Sequence, residues 1–168
     1  MKLSDGVEQA IHSVLLLAGL PVDGVLPASA LAEYHGVSSS YLLKHLQALV
    51  GAGLLLSVPG PKGGYRLARE TTQISLLDIV LAVEGPEPAF RCTEIRKRGP
   101  SPIAERFHKA PCGVNMAMLR AEKAYRAELE KVSIADLSVD PRSALGAAIA
   151  SRSCGFLEGH QRRTLPRA

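Results

Sequence analysis

The sequence predicts a mainly α-helical fold with one small β-hairpin, followed by a further long helix. Two observations carry this prediction. Between residues 27 and 68, two short helical patterns, a strand, a Gly/Pro-rich turn and a second strand follow one another. Beyond residue 112, apolar residues recur at steps of three and four positions as far as residue 132.

Three helical patterns lie in the first part of the chain. The first runs from Asp5 to Gly19, with apolar residues at helical spacing. A second, short helix begins at Pro27 and ends at Gly36. Ser38 is a good N-cap for a third helix. Its inward face is predicted to comprise Leu42, Leu46, Leu49 and Val50. Two helices joined by so short a turn form the helix-turn-helix pattern.

A β-hairpin follows the third helix. The runs LLLSV at 54–58 and YRLA at 65–68 are predicted strands, and PGPKGG at 59–64 joins them. A hairpin at this position is the wing of a winged helix-turn-helix. A fourth helix is predicted over Leu76–Glu84, ended by the run GPEP. These elements make residues 1–85 one winged helix-turn-helix domain.

The rest of the chain divides into three segments. Residues 86–112 are rich in proline and predict a loop rather than a helix. Residues 113–137 predict an amphipathic helix with an apolar stripe of Val114, Met118, Ala121, Tyr125, Leu129 and Val132. Such a helix outside the domain needs a partner surface, most simply its own copy, so we expect a homodimer. The alternative is that it folds back on its own domain. The tail at 138–168, rich in Ala, Gly, Ser and Arg, is expected to be weakly ordered.

Charge and composition limit the function classes. The 168 residues carry a net charge of +4. Residues 1–70 hold five Lys/Arg and five Asp/Glu and are therefore neutral. The excess of positive charge lies in residues 71–168, partly in Arg162, Arg163 and Arg167. Three cysteines are too few for a disulfide scaffold. No catalytic motif, leader or membrane-spanning run is recognisable, so we expect a cytoplasmic protein that is not an enzyme.

A winged helix-turn-helix predicts contacts with duplex operator DNA, because the start of its third helix enters the major groove. The expected DNA-binding residues on that helix are Ser38, Ser39, Ser40, Tyr41 and Lys44. On the wing they are Lys62, Gly63, Gly64 and Tyr65. The alternatives are simple helix capping by the serines and a plain hairpin turn at the glycines.

At this point the sequence resembles a known family. The run VSSSYLLKHLQALVGAGLLLSVPGPKGGYRLA, the MKLS start and LLDIVLAVEG are similar to the Rrf2 family of bacterial regulators, over about residues 1–137. The resemblance implies a dimeric winged-helix repressor or activator, often sensing through an iron–sulfur cluster. Leu43 and Pro59 stand where other members carry an acidic residue and an arginine, which implies a different operator.

Within the family, the run CTEIRKRGP and a loop with only two cysteines resemble the RsrR-type redox sensors. Those hold a 2Fe-2S cluster with two cysteines of one subunit and a Glu/His pair on the first helix of the other. The resemblance therefore implies Cys92, Cys112, Glu8 and His12 as cluster ligands at the dimer seam. Glu8 and His12, four residues apart, share one helix face. Fewer thiolates should raise the cluster's reduction potential.

The candidate ligands are also compatible with simpler roles. Glu8 is an ordinary first-turn acid, favoured by the helix dipole, and His12 fits a surface histidine. His108 could replace His12 as a ligand, whereas Cys154 in the tail is not expected to be one. A metal-free thiol switch that forms a disulfide between the two loop cysteines is the alternative function. A protein-interaction adaptor is a third possibility.

Overall fold

The structure is a computed structural model that describes residues 3–163. Its α-helices are α1 (Asp5–Leu17), α2 (Ala28–His35), α3 (Ser39–Gly51), α4 (Leu76–Glu84), α5 (Gly113–Glu130) and α6 (Ala144–His160). Its strands are β1 (Gly24–Val25), β2 (Leu55–Val58), β3 (Gly64–Leu67) and β4 (Arg162–Arg163). Single 3₁₀ turns lie at Thr71–Gln73, Ile95–Lys97, Glu105–Lys109 and Ala135–Leu137. The mainly helical fold with a small antiparallel hairpin is as predicted.

An aliphatic core holds α1 to α4 together. Leu42, Leu46 and Leu49 of α3 are fully buried as predicted, whereas Val50 is only half-buried at the edge of the core. The fully buried Val14, Leu17, Leu31 and Ile79 come from the three other helices. Burial of such a side chain contributes about 1.5–3 kcal/mol, so this cluster fixes the orientation of α3.

The turn between α2 and α3 depends on Gly36, which adopts the left-handed conformation with φ 65°. The Val37 amide then donates to the Ala32 carbonyl at 3.0 Å, which closes the end of α2. Ser38 is the N-cap residue of α3, as predicted, but its side chain makes no capping hydrogen bond. Its hydroxyl instead lies 3.0 Å from that of Ser40, so both hydroxyls stay at the surface.

The wing is the antiparallel pair β2–β3, with Leu55 opposite Leu67 and Val58 opposite Gly64. It is joined to the helices by a bridge in which Tyr65 and Leu26 exchange backbone hydrogen bonds of 2.8 and 3.0 Å. A Cβ atom on Gly64 would lie 2.6 Å from the Leu26 carbonyl oxygen, so only glycine allows this approach.

Helix α5 folds back on its own domain along part of its length. It packs against α4, and the Leu76 amide donates to the Val132 carbonyl at 2.9 Å just beyond its C-terminal end. The predicted stripe accordingly becomes half-buried toward that end, from Tyr125 onward. At the N-terminal end the side chains of Val114 and Met118 stay 61% and 43% exposed. The fold-back therefore covers only part of the stripe and leaves apolar surface for a partner.

The expectation of a weakly ordered tail at 138–168 is wrong for residues 144–160, which form α6. The many small residues that suggested disorder include good helix formers, and the Ser143 hydroxyl caps the helix by accepting from the Gly146 amide at 3.0 Å. Leu157 anchors α6 to the core, where its side chain is 6% exposed and contacts Gly19 beyond α1. Arg167 lies outside the described residues.

No helix within residues 3–163 is both long and apolar enough to cross a bilayer.

Candidate functional site

The five side chains predicted to read DNA from α3 form one exposed surface at the start of that helix. They are Ser38, Ser39, Ser40, Tyr41 and Lys44. The Tyr41 ring is held edge-on to the His45 ring at a centroid distance of 4.6 Å. This surface presents three hydroxyls, a phenol and an ammonium group, all of which can donate to phosphates or base edges.

The four predicted wing residues occupy two different environments. Lys62 is exposed at the turn of the hairpin. Gly63 is buried, and a Cβ there would contact the Val58 carbonyl oxygen. Gly64 and Tyr65 are half-buried by their approach to β1. The hairpin geometry alone accounts for both glycines, and Lys62 is the wing residue best placed for a phosphate.

The side chains of Cys92, Cys112 and Glu94 lie close together in the structure. Glu94 was not among the ligands predicted from the sequence. The two sulfur atoms and a carboxylate oxygen of Glu94 all lie within 4.8 Å of one another, and all three residues are half-buried. The Cys92 thiol donates to Glu94 Oε1 at 3.6 Å. Glu94 is visible in the sequence as the acid in the CTE run, but only the folded loop shows that it faces both thiols.

The backbone of Glu94 brings its carboxylate back toward the cysteines. At φ 47° and ψ 54° it is the one non-glycine residue of 3–163 with a positive φ. A left-handed conformation at such a residue costs on the order of 1–3 kcal/mol, and such strain clusters at functional sites. Arg96 compensates by donating to Glu94 Oε2 at 2.7 and 3.0 Å and to the Ala110 carbonyl at 3.3 Å. The arginine thereby joins the two ends of the loop.

Cys112 is the N-cap residue of α5, and this position stabilises its thiolate. The backbone amides of Asn115 and Val114 at the start of α5 lower the pKa of the Cys112 thiol, and the positive charge of Arg96 lowers it further. The pKa of Arg96 itself is raised by its hydrogen bonds with Glu94. The pair of thiols is thus an anion-stabilising, electron-rich site suited to a metal or to thiol oxidation.

Glu8 and His12 lie elsewhere, exposed on α1. They line an open hollow of about 350 Å³ with Leu3, Ser4, Asp5, Val7 and Ile11. Among residues 3–163 no group of potential ligands unites either of them with the two thiols of the same chain. His12 also lies beside His35 at the end of α2, with ring centroids 6.0 Å apart.

A 2Fe-2S cluster takes four protein ligands, and the donors in one chain fit half of such a set. The two thiols can hold one iron, and Glu94 offers a third donor at the same place. Glu8 and His12 are exposed on α1, and within residues 3–163 neither lies in a group with the two thiols of the same chain. His108 is half-buried and Cys154 is exposed on α6, and neither lies in the group that the two thiols form with Glu94.

The left-handed turn, the exposed start of α3 and the hairpin together define a winged helix-turn-helix DNA-binding protein. Residues 3–140 match the family model of Rrf2, described as an iron-dependent transcriptional regulator, and the chain belongs to that family. It is a DNA-binding transcriptional regulator and not an enzyme.

Relatives and solved structures agree with this assignment. The HTH-type transcriptional regulator YffB of Lactococcus lactis subsp. lactis (strain IL1403) is 37% identical over 139 residues, which cover 82% of this chain and 87% of that protein. The oxidized form of Staphylococcus aureus CymR superimposes with a TM-score of 0.59 and 26% identity, covering 83% of this chain and 99% of that one. The IscR of T. potens superimposes with a TM-score of 0.61 and 23% identity, covering 89% and 96%, which shows the shared fold.

Proposed function

We propose that this Rrf2-family regulator is an RsrR-type redox sensor that carries a 2Fe-2S cluster at the seam of a homodimer. Cys92 and Cys112 of one subunit would hold one iron, and Glu8 and His12 of the partner subunit the other. The observation that supports this most is the division of the donors: two thiols face each other on the loop, and a separate Glu/His pair is exposed on α1. Each chain holds half of a four-ligand site.

The surrounding residues of this chain suit a cluster with two thiolate ligands. When bound, the cluster would supply a one-electron redox centre, with a potential raised by its nitrogen and oxygen ligands. Arg96 balances negative charge beside the thiolates, and the amides of Val114 and Asn115 stabilise Cys112 as an anion. Glu94 is close enough to both thiols to hold them in position before Glu8 and His12 of the partner subunit bind the cluster.

The helix that carries Glu8 and His12 also contacts the DNA-reading helix. Gly6 of α1 lies against the ring of His45 in α3, and α1 packs along α3 as a whole. His12 meets His35 at the end of α2. A shift of α1 at the dimer seam is therefore transmitted directly to both helices of the helix-turn-helix, and this coupling would relate cluster state to operator affinity.

The dimer is expected to form through the uncovered N-terminal half of α5. Val114 and Met118 lie on one helix face there and are the large exposed side chains of the apolar stripe. Charged residues on this face should separate the subunits, so the double variant Val114→Glu/Met118→Glu should sediment as a monomer with an unchanged helical spectrum. Lys123→Glu, which changes an exposed residue of the same helix off the stripe, should stay dimeric. A dimeric double variant would contradict this interface.

Anaerobic purification tests the cluster. We expect iron and acid-labile sulfide, with visible and EPR spectra that change on addition of dithionite. Cys92→Ser should abolish iron binding, and His12→Ala should alter the EPR spectrum and lower the potential or the yield. Cys154→Ser is the matched control and should change nothing. Iron-free protein would refute the proposal, and a cluster unchanged in His12→Ala would refute the assignment of that ligand.

A metal-free thiol switch is the second candidate function, and one observation favours it. The sulfur atoms of Cys92 and Cys112 lie within 4.8 Å of each other. When a peroxide oxidises Cys92 to a sulfenic acid, the Cys112 thiolate, favoured by its lowered pKa, would attack that sulfur and form the disulfide with release of water. One similar structure is of an oxidized form of its protein. This candidate predicts that DNA binding by iron-free protein changes on oxidation and returns with dithiothreitol. DNA binding that is insensitive to oxidant in iron-free protein would exclude it.

A further inference from the structure

The end of the described chain is bound to the wing. β4 pairs antiparallel with β1, with Val25 opposite Arg162 and Gly24 opposite Arg163. From there Arg162 Nη1 reaches across to the hairpin turn and donates to the carbonyls of Pro61 at 2.7 Å and Gly63 at 3.4 Å. These two carbonyls lie on either side of Lys62, the exposed cation of the wing.

The segment leading to Arg162 is fixed on the helix-turn-helix as well. The Arg152 guanidinium lies over the Tyr34 ring at 4.4 Å and donates to the Tyr34 carbonyl at 2.9 Å. Phe156 meets the same ring at a centroid distance of 5.0 Å, and Leu157 is buried against Gly19. Helix α6 is therefore packed against α2 and Gly19, and β4, which follows it, holds Arg162 beside the wing.

The charge of Arg162 is not cancelled by its partners. Backbone carbonyls are neutral acceptors, and among the ion pairs within residues 3–163 none involves Arg162 or Lys62. A guanidinium has five N–H donors. The hydrogen bonds of Arg162 to described residues all use Nη1, so Nε and Nη2 remain for another acceptor.

Binding of the winged domain to DNA would be strengthened by an added positive charge. Its first 70 residues carry five basic and five acidic side chains, whereas affinity for duplex DNA comes largely from cations that neutralise phosphates. The part of the chain after residue 140 lies outside the family match. The structure thus brings a further cation, from this appended segment, to the wing beside Lys62.

We propose that Arg162 is a DNA-binding residue: it holds the wing turn through two carbonyls and contacts a backbone phosphate of duplex DNA beside Lys62. This rests on the proposed placement of the wing at the DNA. Helix α6 and strand β4 would then belong to the DNA-binding part of the protein. The phosphate contact would be made by a guanidinium group rather than by the glycines of the turn.

Salt dependence of binding separates a phosphate contact from a structural role, because each neutralised phosphate contributes about 0.9 to the slope of log K against log salt concentration. The probe is a fluorescein-labelled random-sequence duplex, followed by anisotropy over a range of KCl concentrations. Arg162→Gln should bind severalfold more weakly, with a slope reduced by about 0.9 per subunit. Arg162→Lys keeps the charge and should keep nearly the wild-type slope.

Arg142→Gln is the matched control, since it removes the same charge from the same segment at an exposed ion pair with Asp140. It should leave the slope unchanged, and thermal unfolding should show that all three variants are folded. An unchanged slope in Arg162→Gln, or an equal loss in Arg162→Lys, would overturn the phosphate contact. If the wild-type protein itself shows no salt-dependent binding, the placement of the wing at DNA fails, and the proposal fails with it.

Discussion

Gly6 of α1 lies directly against the imidazole of His45 in α3, and no side chain fits between them. A Cβ atom on residue 6 would lie 2.6 Å from His45 Nε2 and 3.0 Å from Nδ1, and the ring is buried. This contact joins the helix that carries the candidate ligands Glu8 and His12 to the helix that faces DNA.

We expect Gly6→Ala to destabilise the protein by about 1–3 kcal/mol, because a methyl group must displace a packed ring. The double variant Gly6→Ala/His45→Ala should recover part of this loss, since the smaller side chain leaves room. Urea unfolding of the four proteins in a double-mutant cycle measures the coupling free energy. Additive effects of the two changes would show that the contact is not under steric pressure.

Two serines at helix starts should differ sharply in their effect on stability. Ser75 forms a full capping box with Asp78: its hydroxyl accepts from the Asp78 amide at 3.1 Å, and its own amide donates to the Asp78 carboxylate at 2.8 Å. Ser75→Ala should therefore lower the free energy of unfolding by about 1 kcal/mol.

Ser38→Ala should change stability by less than about 0.5 kcal/mol, because the Ser38 side chain makes no capping hydrogen bond and is exposed. Instead it should weaken DNA binding. Thermal unfolding and anisotropy on the same two variants check both halves of this comparison, and equal stability losses would contradict it.

Arg96 should control the reactivity of Cys112 in protein freed of metal. The backbone amides of Asn115 and Val114 are the main cause of the lowered pKa of this thiol, and the charge of Arg96 adds to their effect. Arg96→Gln should move the pH profile of alkylation by iodoacetamide to higher pH. Arg98→Gln is the control, because Arg98 donates only to the Thr93 carbonyl among the described residues and should leave the profile in place. A Cys154→Ser background restricts the reaction to the two loop thiols.

Stability should fall as the solution becomes mildly acidic. Burial lowers the pKa of both His35 and His45 below the ordinary value of 6.5, so the unfolded chain takes up these protons more readily than the folded chain. The free energy of unfolding is therefore greatest above pH 6.5 and declines as pH falls from there toward the folded-state pKa values. Tm measured at pH 7.5 and pH 5.5 should drop, and the drop should be smaller in His45→Gln. An equal drop in His45→Gln and in the wild-type protein would contradict this contribution of His45.

Local sequence pattern was sufficient for the winged helix-turn-helix. The apolar spacing of α3, Gly36 after α2 and the Gly/Pro turn of the wing act between near neighbours in the chain, and the structure has these elements where the pattern predicts them. The prediction of weak order was wrong for α6. A run of small residues predicts weak order unless residues far away in the chain pack against it. Here Leu157 is buried against Gly19, a contact across most of the chain.

The chemical groups of the candidate sites can be read from the amino-acid sequence: two loop thiols, a Glu/His pair on the first helix, hydroxyl groups at the start of α3 and several arginines late in the chain. Which of these groups come into contact depends on the tertiary fold. The left-handed backbone at Glu94 directs a carboxylate to the thiols, α1 carries Glu8 and His12 away from them, and β4 places Arg162 at the wing. These contacts depend on burial and on hydrogen bonds between residues far apart in the chain. The periodicity of one segment carries no information about such long-range contacts.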